Sequence, residues 1–389
     1  MKLAGLKVLD LSAFLPGPHM TMMMADHGAD VIMIEPANGL GEPTRAIGQK
    51  TEDGVSVWFR NIARGKRSLK LNLKDDDGRE LFYALAKEAD VVVEAFRPGV
   101  VKRLGVDFDT LKAMNEKLVY CSISAFGQDS SLALKPAHDM TVQGMAGIAD
   151  LNRGLEDNKP AMPNMPVADL TASLMAMSGI MMALYRMKET GKGDYVDIAM
   201  YDACLAWTPN VLGPTWGEGK APIAKEMRSF GGSAMYNLYE TSDGEFIILG
   251  GSEVKFASNF LSALGKSELL EYAKLEPGPA QAPLRDFFSE TFKAKTLNQW
   301  KEFLSNVDCC WSWVRNLSEA MDDPFTQERQ MVITDADGFK HIGPPIKFRR
   351  EPAQPNLSVP SFGEDSEEIA KEIGLDAQEI SNLKNKKTI

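Results

Sequence analysis

The opening of the chain limits its fold more than any other stretch. LKVLDLS (6–12) is apolar and β-leaning, FLPGP (14–18) reads as a turn, HMTMMMADHGAD (19–30) has helical spacing, and VIMIEP (31–36) is a second apolar strand. Strand, turn, helix and strand in so short a span predict a βαβ unit and hence a parallel sheet. In a dinucleotide-binding fold the first turn carries GxGxxG, and an acid ending the second strand holds a ribose. Glu35 stands at about that place, but the turn is Leu15-Pro16-Gly17-Pro18-His19. Its prolines have no N–H to offer a pyrophosphate, so the sequence argues against NAD and FAD.

The α/β rhythm continues through SLKLNLK, DDDGRELFYALAKEA, DVVVEAF and KLVYCSIS, and YVDIAM (195–200) completes a mostly parallel sheet with helices on both faces. Asp75 to Asp77 suit a helix N-terminus through the helix dipole. The apolar stretch Leu170 to Met187 carries Thr171, Ser173, Ser178 and Gly179 and reads as a buried helix, not a membrane span. Between about 205 and 230 the pattern loosens into Gly- and Pro-rich sequence, and a boundary belongs there. AMYNLYETSDGEFIILGG then predicts a hairpin turning at Ser242-Asp243-Gly244, followed by amphipathic helices. ITDADGFKHIGPPIKF is a second hairpin-like stretch, and two short helices split by Gly374 close the chain. A large α/β unit is expected before that boundary and a smaller α+β unit after it.

Composition excludes several functions. With 43 Lys and Arg against 54 Asp and Glu, the net charge is −11, and such a chain lacks the broad basic surface that nucleic acid needs. The four cysteines and four histidines are dispersed, except for the vicinal Cys309 and Cys310, with no zinc-like spacing. No metal and no disulfide framework is expected. The first residues offer no signal-peptide pattern, which points to a cytoplasmic protein.

Against that acidic background RNIARGKRSLKLNLK (60–74) contains six cations, Arg60, Arg64, Lys66, Arg67, Lys70 and Lys74, and no acid. Phe96-Arg97-Pro98-Gly99 and Lys102-Arg103 follow the strand VVVEA, at the end of a parallel strand where open α/β sheets bind ligands. A phosphorylated small molecule is the natural guest. Asp169 follows the restricted loop Pro163 to Ala168 and precedes an apolar helix, and His138-Asp139 follows Lys135-Pro136-Ala137 in the same manner. Either acid could be a helix cap, and either could do chemistry.

Taken together these blocks resemble the family III CoA-transferase (CaiB/BaiF) and α-methylacyl-CoA racemase superfamily. The resemblance runs from Gly5 to about Lys384 through KVLDLS, PGPHMTMMMADHGADVIMIEP, RGKRSLKLNLK, EAFRPGVVKRLG, ISAFGQ, HDMTVQGMAGI, VADLTASLMAMSGIMMAL, ETGKGDYVDIAMYDA, YETSDGEFIILGG and GEDSEEIAKEIG, in family order. It implies an enzyme forming a homodimer of two interlocked ring-like chains, each with a large Rossmann-like domain from 1–215 with 336–389 and a small α+β domain over 216–335, with an acyl-CoA substrate, no cofactor beyond that CoA, and no membrane partner. The CoA contacts it implies are Phe96, Arg97 and Arg103; Arg64, Lys70 and Lys135 are the further basic candidates. The family's frequent Arg after the second strand is not matched in IEPANG.

In transferases of this superfamily the carboxylate matching Asp169 attacks the thioester and becomes an aspartyl-CoA intermediate. In racemases it is one of two bases flanking the α-carbon of a 2-methylacyl-CoA. His138 before Asp139, and Glu253 in GGSEVKF, resemble the racemase branch, whereas Gln143 looks more like the transferase pattern. The resemblance thus implies Asp169, His138, Glu253 and Asp139 as the catalytic set, with Glu253 accepting a hydrogen bond from His138. The thioester oxygen would be polarised by backbone N–H groups where the segment after His138 turns helical.

Overall fold

A computed structural model describes residues 1–154 and 158–389. The chain divides into two units, one made of Met1–Ala146, Met165–Ala206 and Pro324–Ile389, the other of Gly147–Asn164 and Trp207–Asp323. The second hairpin, β10 (Val332–Thr334) with β11 (Lys340–Ile342), belongs to the first unit, upstream of the position 336 at which the sequence reading resumes the large domain. Its attachment is polar: Ile342 N–H donates to Asn61 Oδ1 at 2.8 Å, and Arg60 donates to Asp335 at 3.2 Å.

The first unit is built on six parallel strands, β1 (Lys7–Asp10), β2 (Asp30–Pro36), β3 (Arg67–Leu71), β4 (Val91–Glu94), β5 (Val119–Ser124) and β6 (Tyr195–Ala199). Their order is β3-β2-β1-β4-β5-β6, with Val8 paired to Val31 on one side and Val91 on the other. This is the doubly wound Rossmann order, so the fold class read from the sequence holds. Every residue of β4 and β5 is buried, which is why these strands read as unbroken apolar runs and not as alternation.

The edge strand β3 would expose unpaired amides to solvent. The C-terminal segment covers them: Ser68 N–H donates to Asp365 Oδ2 at 2.7 Å and Lys70 N–H to Ser366 Oγ at 3.1 Å. Beyond these contacts, the helices Ser366–Glu372 and Ala377–Asn385 place Ile369, Ala370, Ile380 and Leu383 in the same core cluster as Leu9, Leu69, Phe82 and Val92.

The long apolar helix spans Val167–Thr190 and ends on Gly191 at φ +69°, a left-handed cap that suits glycine. Only one face is buried, through Thr171, Ala172, Ala176, Ile180 and Leu184, whereas Leu174, Met182 and Tyr185 are exposed. The burial expected of this helix is therefore one-sided. By length and composition alone the helix could cross a membrane.

In the second unit β7 (Tyr236–Glu240), β8 (Phe246–Gly250) and β9 (Trp311–Trp313) form an antiparallel sheet. The expected hairpin is β7–β8. Helices Val254–Ala263, Ala282–Phe292 and Leu297–Leu304 pack an aromatic core of Tyr239, Phe260, Phe288, Phe292 and Trp300 against that sheet. Trp300 can be wholly buried because its Nε1–H donates to the Phe292 carbonyl at 2.8 Å. Cys309 and Cys310 are free thiols.

Candidate active site

In an open parallel sheet the ligand crevice lies beyond the strand carboxyl ends, where the strand order reverses. Here the reversal is between β1 and β4. A cavity of about 400 Å³ opens there, lined by the segments that follow β1, β4 and β5 and by Asp169.

The wall after β1 is tightly determined. Asp10 ends the strand buried and accepts Ser12 N–H at 3.0 Å and Lys66 Nζ at 3.0 Å. Gly17 lies so close to Ser12 that a Cβ would fall 2.1 Å from its hydroxyl, which is the reason for glycine at that position. Between them Phe14 adopts φ +66° and presents its ring to the cavity. Its N–H donates to Glu42 Oε1 at 2.8 Å. Glu35, at the ribose-binding position of a dinucleotide fold, is buried and engaged by Arg45 at 2.7 and 2.8 Å and by the Glu42 N–H at 2.7 Å.

After β4 the chain turns outward over a buried carboxyl. Glu94 Oε2 accepts Phe96 N–H at 2.7 Å, while Oε1 has no partner; burial pushes this carboxyl up to about 7. Above it Phe96 and Arg97 line the cavity, with Arg97 exposed and free to meet an anion.

The third wall brings the two sequence candidates together. His138 precedes the helix Asp139–Met145 in an extended conformation, makes no capping bond with its side chain, and lines the cavity with Lys135 and Asp169. Asp139 faces the other way. Its Oδ1 accepts Ala168 N–H at 2.8 Å and Asp169 N–H at 3.2 Å, and its Oδ2 accepts Gln143 Nε2 at 2.6 Å. Pro166, the cap residue of the long helix, has no side-chain acceptor, so Asp139 caps that helix from another segment. Gln143, wholly buried, also donates to the Met165 carbonyl at 3.0 Å and ties the loop to this cap. The Ala168 and Asp169 amides are thereby engaged by Asp139.

Asp169 sits in the first turn of that helix without a cation partner among the described residues. Burial, reinforced by the Asp139 carboxylate, pushes its carboxyl up to about 7. A carboxyl poised there can hold or release a proton near neutrality, as general acid–base chemistry requires.

Of the ten residues singled out in the sequence, Asp169, His138, Phe96, Arg97 and Lys135 line this one cavity. Asp139 stands behind it as a cap. Arg103 is exposed on the helix Val100–Leu104, and Lys70 lies over the Phe362 ring; neither lines the cavity. Arg64 is a correction: it is buried in a two-bond ion pair with Asp26, at 2.9 and 2.6 Å, and cannot reach a CoA. The same applies to most of the acid-free stretch that holds it. Arg60, Lys66 and Arg67 are paired with Asp53 and Asp335, with Asp10, and with Asp30 and Glu372. Glu253 is carried by the second unit, exposed at the start of helix Val254–Ala263. Phe14 was missed, because no side-chain pattern announces a left-handed turn at a phenylalanine.

The arrangement combines a titratable carboxyl, an imidazole and exposed cations at one sheet edge, and known proteins share its sequence and fold. A family model described as CoA-transferase family III matches residues 3–366. The α-methylacyl-CoA racemase of Mus musculus is 31% identical, over 98% of this chain and 96% of the racemase. The acetyl-CoA:oxalate CoA-transferase of Acetobacter aceti is 33% identical, over 88% of each chain. A solved CaiB/BaiF family protein from Brucella suis superposes with a TM-score of 0.83 at 29% identity, covering 95% of this chain and 99% of that one. With the family model spanning nearly its whole length, the chain belongs to CoA-transferase family III.

Proposed function

We propose that this protein is an acyl-CoA racemase or epimerase that inverts the α-carbon of 2-methylacyl-CoA thioesters, with Asp169 and His138 as its two bases. The observation that carries the reading is their shared cavity, in which the Asp169 carboxyl is held near 7. The ionised carboxylate takes the α-proton, the thioester carbonyl accepts the electron pair as an enolate, and the imidazolium returns a proton to the opposite face. In the reverse direction neutral imidazole takes the proton and the carboxylic acid gives one back. Both states of Asp169 must therefore be populated near neutrality.

Arg97 and Lys135 hold CoA phosphates in this reading, and Phe96 packs against the adenine or pantetheine portion; Arg103 contributes at the rim. Glu253 is the remaining member of the catalytic set in this reading and is carried by the second unit. No nicotinamide, flavin or metal takes part; the engagement of Glu35 by Arg45 and the proline-rich turn after β1 support a site without a dinucleotide. The chain works as a homodimer, a reading supported by the exposed apolar residues Leu174, Met182 and Tyr185 outside the buried face of the long helix.

CoA transfer is the second reading. It is favoured by transferase relatives as similar as the racemases, among them the succinyl-CoA:mesaconate CoA-transferase of Haloarcula marismortui, 30% identical over 95% of this chain and 96% of that enzyme. Asp169 would then attack the thioester carbon and pass CoA to a carboxylic acid.

The deciding experiment incubates the protein with a (2R)-2-methylacyl-CoA in deuterated water without any acceptor acid, and follows the α-position by NMR. Deuterium uptake with loss of configuration, abolished in Asp169→Ala, is the expected result. Absence of uptake, together with label exchange between free acid and thioester once a carboxylic acid is added, assigns the transferase instead.

A further inference from the structure

We propose that Phe14 is a positioning residue, held in a left-handed backbone turn so that its ring fixes the plane of the His138 imidazole. The proposal rests on the reading of His138 as one of two bases. Phe14 has φ +66°, a conformation rare for any bulky side chain. Such a conformation persists only where the surroundings over-determine it, and it gathers at functional sites.

The surroundings do so from three directions. Asp10 binds the Ser12 N–H on one side, and Gly17 packs without room for a Cβ against Ser12 on the other. The Phe14 N–H itself donates to Glu42 Oε1, and Glu42 is buried. The second oxygen of Glu42 accepts Thr44 N–H at 2.7 Å, and its backbone is tied to Glu35, which Arg45 clamps. The anchor of Phe14 thus runs to the end of β2.

This effort does not serve core packing, because the Phe14 ring is 39% exposed and lines the cavity. Its neighbour is His138, with ring centroids 5.9 Å apart and planes at 78°. Within the first unit the imidazole takes no hydrogen bond from the described residues, so its orientation there depends on this edge-to-face contact. Proton transfer to carbon tolerates little misplacement, and a rigid aromatic wall limits the rotamers the base can sample.

The test compares α-deuterium uptake into a 2-methylacyl-CoA by the wild type, Phe14→Asn, Phe14→Leu and Phe14→Tyr, with NMR of the His138 ring in each. Asparagine tolerates the left-handed turn and removes the ring, so Phe14→Asn keeps the backbone, and Phe14→Leu is a second ring-less variant should it fold poorly. The kcat for uptake is expected to fall about 10- to 100-fold in both, with KM within about twofold. The His138 ring resonances are expected to shift and broaden, and Phe14→Tyr should restore kcat. Wild-type kcat with unmoved His138 resonances in a folded Phe14→Asn overturns the proposal, as does a rise in KM alone. Absence of uptake by the wild type overturns instead the two-base reading on which it rests.

Discussion

Two regions of the first unit treat buried charge in opposite ways. Around β1 to β3 most buried charges meet opposites: Asp10 has Lys66, Asp26 has Arg64 and Glu35 has Arg45. On the far side of the switch point Glu94, ending β4, is buried and Asp169, in the first turn of the long helix, is half-buried, neither with a cation partner among the described residues, while Arg97 and Lys135, which line the cavity with Asp169, are exposed. Matched charges hold a sheet edge and its helix together; unmatched ones keep protons within reach and leave cations for a ligand.

The sharpest way to break this contrast is Arg64→Ala. It leaves Asp26 charged and buried without its partner, and should cost about 3–5 kcal/mol of folding free energy. Denaturant titration measures the loss, and KM for acyl-CoA in the surviving folded fraction should not change. A large rise in KM would return Arg64 to the binding site.

Asp169→Asn comes next and has the opposite sign. A carboxyl raised from 3.8 to about 7 holds a proton that the unfolded chain has already released, so wild-type stability falls as pH rises through that window. Asp169→Asn removes this penalty and should gain on the order of 2 kcal/mol at pH 8, little at pH 4, while abolishing turnover. Melting curves at the two pH values check it. In the wild type the two-base reading needs both protonation states of Asp169, so kcat/KM should peak near pH 7 and fall on either side.

Arg97→Ala and Lys135→Ala should each raise KM for the thioester about 5- to 10-fold, roughly 1 kcal/mol for a solvent-exposed phosphate contact, without lowering Tm. The wild-type KM should climb with salt more steeply than that of either variant. The smallest effect is expected of Glu94→Gln. The amide still accepts the Phe96 N–H, so KM should stay within about twofold, and stability at pH 8 should rise by about 1 kcal/mol or less. Glu94→Ala, which drops that N–H, should raise KM more than the glutamine does.

The fold was largely legible because parallel strands buried on both faces leave unbroken apolar runs such as VVVE and VYCSIS. Asp169 and His138 were legible because each follows a restricted loop and opens a helix, and because ordered blocks along the chain resemble one family. What could not be read was the long-range pairing of charge. Arg64 and Asp26 are 38 positions apart and Arg67 and Glu372 are 305 apart, so a local run of cations looked like a site when it was a set of internal struts. That Asp139 caps the helix of Asp169 could not be read for the related reason that its partners, the Ala168 and Asp169 amides, lie in a distant segment. The assignment of 147–164 to the second unit left no trace in composition.

The tail that seals β3 also bears on the order of synthesis. A nascent chain threads β1 to β6 out of the ribosome long before residues 365–389 exist, and until then the amides of Ser68 and Lys70 and the apolar floor beneath Ile369 and Leu383 stand open. Meanwhile the aromatic core of the second unit is closed entirely by residues 234–313 and can form first. The part of the molecule made earliest is therefore among the last to be finished, and for that interval its open edge is a surface for chaperones to guard.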